Sequence, residues 1–112
     1  MKYNLVSSFF WSVDVCWVVC GGFCSKHYHE MKANRFFIIS GELEVAFYSD
    51  NKKSWTHKIL GREGFPRTQD IFAGVLHQFT ALTDCVFIEY ENAQYDKNDI
   101  IRESKGGIIS ET

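Results

Sequence analysis

Apolar residues along this chain recur at alternate positions or in short runs, and glycine, asparagine, aspartate and serine close off the runs. A period of two is that of a strand with one buried face, and the spacing leaves little room for helices. The pattern predicts strands at 5–10, 12–19, 25–29, 35–40, 42–48, 55–60, 69–72, 78–82 and 85–91. Their lengths suit a barrel or sandwich, so the fold class is all-β. Ser40-Gly41 supplies a turn residue free to take positive φ, and 50–54 reads as a polar hairpin tip. A longer polar connection at 61–69 holds Pro66, the only proline, with Arg62 and Arg67. One domain is expected over 1–112, with its core at about 3–95 and a charged tail at 96–112 whose last residues are mobile.

Composition narrows the partners. A hydrophobic share of 46% with 16% aromatic residues is that of a folding chain. Twelve Lys and Arg against 14 Asp and Glu, with no basic run, lack the footprint of a nucleic-acid or anionic-membrane binder. The partner expected is a small molecule, or a second copy. The apolar stretch 3–24 is interrupted by Asp14, and only Lys2 supplies a positive charge before it, so it reads as strands rather than a signal or a membrane span. A cytoplasmic location follows. Phe9, Phe10, Trp11 and Trp17 on these strands would cover sheet edges in a homodimer or pack between sheets. Cys16, Cys20, Cys24 and Cys85 lack the C-x2-C spacing of zinc knuckles and read as reduced thiols.

His27-Tyr28-His29 falls on a predicted strand, where side chains two apart share a face, so both imidazoles can converge on one point. Two surface histidines would look the same. His77 alone would read as an interior histidine bonded to a backbone carbonyl. His57, on the alternating stretch 55–60, is expected to be exposed.

Context raises these histidines above chance. Gly22-Phe-Cys-Ser-Lys-His27-Tyr-His29-Glu-Met-Lys-Ala-Asn34 continuing to Gly41 resembles the first motif of the cupin superfamily. Phe72-Ala-Gly74-Val-Leu-His77-Gln-Phe-Thr-Ala81 is similar to the second, P-x-G-x-x-H-x-x-x-N. The resemblance implies a cupin-type double-stranded β-helix, a jelly-roll barrel, with His27, His29 and His77 holding a divalent transition metal. Zn²⁺, Fe²⁺, Ni²⁺ and Mn²⁺ all suit three imidazoles with open positions. Asn34 stands where the family has a metal-binding Glu and can offer a neutral carbonyl oxygen; Phe72 and Ala81 replace the motif's proline and asparagine.

From Gly74 the chain is also similar to the nucleotide-sugar epimerase branch of the cupins, and 95–102 to the sugar ketoisomerase branch. Together with the three-histidine site this points to a small metal-binding cupin that isomerises or epimerises a sugar-like molecule, with Tyr95 as a candidate acid; Arg67, which could hold an anionic group, and Phe79 are candidate substrate-binding positions. In those branches the reaction needs no metal, and His27 or His77 would be the base. Arg35, out of phase with Asn34, should point away from the interior. A three-histidine Fe²⁺ dioxygenase and a non-catalytic ligand-binding cupin fit the same residues.

Overall fold

The structure is a computed structural model, and it describes residues 2–7, 11–24, 27–29, 33–49, 54–92, 100–102 and 106–108. Twelve strands follow in order: β1 (Lys2–Ser7), β2 (Ser12–Val18), β3 (Gly22–Phe23), β4 (His27–His29), β5 (Asn34–Ser40), β6 (Leu43–Ser49), β7 (Ser54–Leu60), β8 (Thr68–Ile71), β9 (His77–Ala81), β10 (Cys85–Glu91), β11 (Ile100–Arg102) and β12 (Gly107–Ile108). No helix occurs among the described residues. The predicted strands fall within a few residues of the observed ones. β3, β11 and β12 are additional, and the last two dock on the second sheet beyond the core boundary expected at 95.

The first sheet runs β1-β2-β10-β5-β8, antiparallel throughout. In the second, β9 pairs with β6 on one edge and with both β3 and β4 on the other. Strand β7 lies beyond β6, and β11 and β12 lie beyond β4 and β3. From β2 to β10 the chain passes back and forth between the sheets, which is the connectivity of a jelly roll. Among the described residues no ladder joins the two sheets into a closed barrel.

Strict alternation builds the interior. On β5 the residues Asn34, Phe36 and Ile38 are buried while Arg35, Phe37 and Ile39 are exposed, and β2 and β10 follow the same rule. Phe36 packs edge-on against Phe87 and Phe79 at centroid distances of 5.8 and 6.2 Å. Ile38, Leu43, Val45 and Leu60 complete the core from both sheets. The turn expected at Ser40-Gly41 has Gly41 at φ +84°, and a Cβ there would run into the backbone oxygen of Asp84.

Candidate functional site

The inner face of the first sheet changes character along its strands. Toward one end it carries Cys16, Phe87 and Ile38, which are neighbours across β2, β10 and β5. Toward the other end the neighbours are polar. Ser12, Glu91 and Asn34 form one cross-strand row, and Asp14 and Glu89 pair in the row beside it. All five are buried.

Burying three carboxyl groups together is expensive unless cations and donors meet them. Lys2, from the edge strand β1, reaches over β2 to do so. Its Nζ lies 2.9 Å from Glu89 Oε1, 3.2 Å from Asp14 Oδ2 and 3.9 Å from Glu91 Oε1. Asn4 Nδ2 donates to Asp14 Oδ1 at 3.0 Å, Ser12 Oγ to Glu91 Oε2 at 3.2 Å, and Asn34 Nδ2 to Glu89 Oε2 at 3.3 Å. Burial pushes the Glu89 carboxyl up to about 7; the Lys2 ammonium partly opposes this and the Glu91 charge adds to it. For Lys2 the largest influence, desolvation, acts downward, but the surrounding carboxylates together hold its ammonium above the usual lysine range.

Facing this wall, the second sheet supplies His77. It is fully buried on β9, and its ring lies edge-on to Phe36 at 6.4 Å, so it sits across the interior from the strand that carries Asn34. His77 Nδ1 is 3.0 Å from the Val75 carbonyl oxygen. A carbonyl can only accept, so Nδ1 carries a proton and donates it to Val75. This is the backbone bond expected of an interior histidine, and it is also how metal-binding imidazoles are commonly oriented. In the backbone register His27 is directly opposite His77, and His29 follows two residues along β4. At the far wall Asn34, 3% exposed, keeps its Oδ1 without a hydrogen-bond partner among the described residues. A buried carbonyl oxygen left this way suits a cation. The donor types thus fit a borderline transition metal: imidazole nitrogen on one sheet, a neutral oxygen on the other.

Other positions separate from this end. Arg67 sets its guanidinium on the carbonyls of Ile38 and Ile39 at 3.3 and 2.9 Å, at the opposite end of β5 from Asn34, so the structure does not bring it to the histidines. Phe79 lies two residues from His77 and belongs to the aromatic floor, 5.3 Å from Phe87. Tyr95 lies outside the described residues. Arg35 points outward into a bidentate pair with Asp70, at 2.6 and 3.0 Å, and His57 is exposed beside Glu44, both as expected. No disulfide joins Cys16, Cys20, Cys24 and Cys85, and Cys16 and Cys85 are buried.

Sequence reasoning passed over Lys2, Asp14, Glu89 and Glu91 as site residues. The signal was present: Asp14 is in phase with buried Cys16, and Glu89 and Glu91 are in phase with buried Phe87. The three carboxylates present oxygens within 4.8 Å of one another, an all-oxygen set in which the Lys2 ammonium takes the cation's place.

No family model matches the chain, and no curated protein matches it. Solved structures do. The chain superimposes on CapF, solved with the inhibitor 3-isopropenyl-tropolone, at a TM-score of 0.78 and 23% identity, covering 90% of this chain and 31% of CapF. A dTDP sugar isomerase from Desulfovibrio desulfuricans G20 gives 0.77 and 18%, over 90% of this chain and 69% of that one. Oxalate decarboxylase from Bacillus subtilis gives 0.73 and 16%, over 86% and 24%. The chain therefore spans about a third of CapF and a quarter of the decarboxylase. At these identities the likeness is one of fold.

Proposed function

On the cupin fold that this chain adopts, we propose that His27, His29 and His77, with the Asn34 carbonyl oxygen, hold a divalent transition metal in a site that isomerises or epimerises a small sugar-like carbonyl compound. The observation that carries this reading is the buried Asn34 Oδ1, without a hydrogen-bond partner among the described residues, on the strand that lies across the interior from His77. A dication held there would polarise a substrate carbonyl and favour loss of the neighbouring C–H proton. The chain's own residues do the rest. Phe36 and Phe87, fully buried, and the half-buried Phe79 form an apolar floor that keeps water out of the interior beside His77. Ser12, Asn34 and the buried carboxyl groups give one wall the donors and acceptors that hydroxyl groups need.

Protein purified without chelator is expected to carry a stoichiometric dication by elemental analysis, and His77→Ala to lose it. A folded parent chain without metal would overturn the metal reading. Solvent deuterium entering a keto sugar beside its carbonyl, read by NMR, is the expected activity. Oxygen uptake with Fe²⁺ and no such exchange would assign the three-histidine dioxygenase instead.

The same reading includes a second copy of the chain. Across four strands of the first sheet the outward positions Tyr3, Val15, Ile88 and Phe37 lie in one cross-strand row. Trp17, Ile39 and Tyr90 flank it, and Tyr3, Trp17, Phe37, Ile39 and Tyr90 are each 40–58% exposed. A continuous apolar face of this kind marks an interaction surface. Of the interface residues expected from the sequence, Trp17 lies on this face, Trp11 is half-buried, and Phe9 and Phe10 lie outside the described residues. Light scattering is expected to give a dimer that Phe37→Glu turns into a folded monomer. A monomeric parent protein would sink the assignment.

A further inference from the structure

We propose that Glu89 is a positioning residue for the metal site: by accepting from the Asn34 amide it turns the Asn34 carbonyl oxygen toward the metal. The inference rests on the metal reading above and deepens it.

A carboxamide has two ends of opposite hydrogen-bonding sense, and an Asn in a ligand position works only if its oxygen faces the cation. A glutamate there would need no such selection, since both its oxygens are donors to a metal. The Glu-to-Asn departure therefore creates a need for orientation that the family's usual residue lacks. Glu89 meets it. Its Oε2 lies 3.3 Å from Asn34 Nδ2, and an acceptor at that place selects the NH₂ end of the amide. The oxygen is left at the other end, buried and without a partner among the described residues.

Glu89 is in turn held. Lys2 Nζ binds its other oxygen at 2.9 Å, and β10 fixes its backbone between β2 and β5, directly opposite Asp14 on one side and Phe36 on the other. The side chain is 11% exposed, so water does not readily replace it. The carboxyl group that the family places on the ligand is displaced here by one hydrogen bond. It stands behind a neutral ligand and polarises it, as outer carboxylates do behind metal-bound imidazoles.

The test is a Co²⁺ titration followed by visible absorption, on the metal-free parent and on Glu89→Gln, Asn34→Ala, the double variant and His77→Ala. Glutamine can turn either end of its own amide to Asn34, so Glu89→Gln removes the selection while keeping the shape. Both Glu89→Gln and Asn34→Ala are expected to weaken Co²⁺ binding by about 10- to 100-fold. The double variant should bind no more weakly than Asn34→Ala, because Glu89 acts through Asn34. If Glu89→Gln weakens binding as much in the Asn34→Ala background as in the parent, Glu89 acts by charge alone and the inference falls. It falls too if both variants bind like the parent while His77→Ala does not, an outcome that leaves the metal reading standing. No Co²⁺ spectrum in the parent removes the metal reading and the inference together. Should a variant fail to fold, asparagine-labelled parent protein decides the matter: Zn²⁺ is expected to shift the Asn34 side-chain amide signals, and unchanged signals in the metal-bound protein overturn the proposal.

Discussion

Replacing Phe36 with alanine is expected to destabilise the chain by about 3–5 kcal/mol, a large part of the roughly 5–15 kcal/mol by which a domain is ordinarily stable. Phe36 is 1% exposed and is the aromatic side chain on which the others converge: Phe79, Phe87 and His77 all meet it edge-on. These neighbours come from both sheets, on ladders that hold their backbones in place, so the wall cannot close over the missing ring and a cavity remains. In urea the midpoint should fall by about 1 M or more. A loss under about 1 kcal/mol would mean that the sheets are free to collapse onto one another and fill the space that the ring leaves.

The second large effect depends on pH. Lys2→Met removes the ammonium shared by Asp14, Glu89 and Glu91 and leaves buried carboxylates facing one another. Breaking a fully buried pair from one side costs about 3–5 kcal/mol. The Lys2 side chain is 50% exposed, so solvent screening reduces the expected loss to about 1–3 kcal/mol at pH 8. The sign with pH follows from Glu89. Its carboxyl is raised in the fold from 4.5 to about 7, so between those values the folded chain binds more protons than the unfolded one. The stability this contributes is present at the acid end and is lost as pH rises toward 7. Without Lys2 the carboxylates repel more strongly and the window extends upward. The variant should therefore lose most at pH 8 and come within about 1 kcal/mol of the parent near pH 5. Thermal unfolding of the metal-free proteins at both values measures this; an equal loss at the two would show that Lys2 acts by packing alone.

Much of the architecture was legible because strands and turns write themselves locally. Alternation placed nine strands, and Gly41 announced its own turn. β3, β11 and β12 were not legible, since two or three residues carry no period and their pairing is set by partners up to about 85 positions away in the sequence. At the site, spacing and motif singled out the histidines and Asn34, and the structure sets His27 opposite His77 in the backbone register and buries His77 and Asn34. The carboxylates were hidden by a conflict of phases. On β2 and β10 the outward positions Val13, Val15, Trp17, Val86, Ile88 and Tyr90 are the more apolar set, while the inward ones include Asp14, Glu89 and Glu91. Taken strand by strand, hydrophobicity alone would turn both inside out. Only the ladders that put these residues behind Phe36 and Asn34, with Lys2 over them, resolve which face is inner. The face that misleads is the one assigned above to a second copy of the chain.

The order of strands in the first sheet also governs when that sheet can exist. Its middle strand, β10, is the last of its five in the chain, and it separates β2 from β5. During synthesis the β1-β2 hairpin must wait without a neighbour until residue 91 has emerged, and the Lys2–Glu89 bond closes across 87 positions. Contacts so distant in sequence put folding in the millisecond-to-second range of non-local β proteins. Until then Val13, Val15 and Trp17 sit on an unpaired edge, so a nascent or truncated chain lacking β10 is the aggregation-prone form of this protein, whatever the stability of the finished fold.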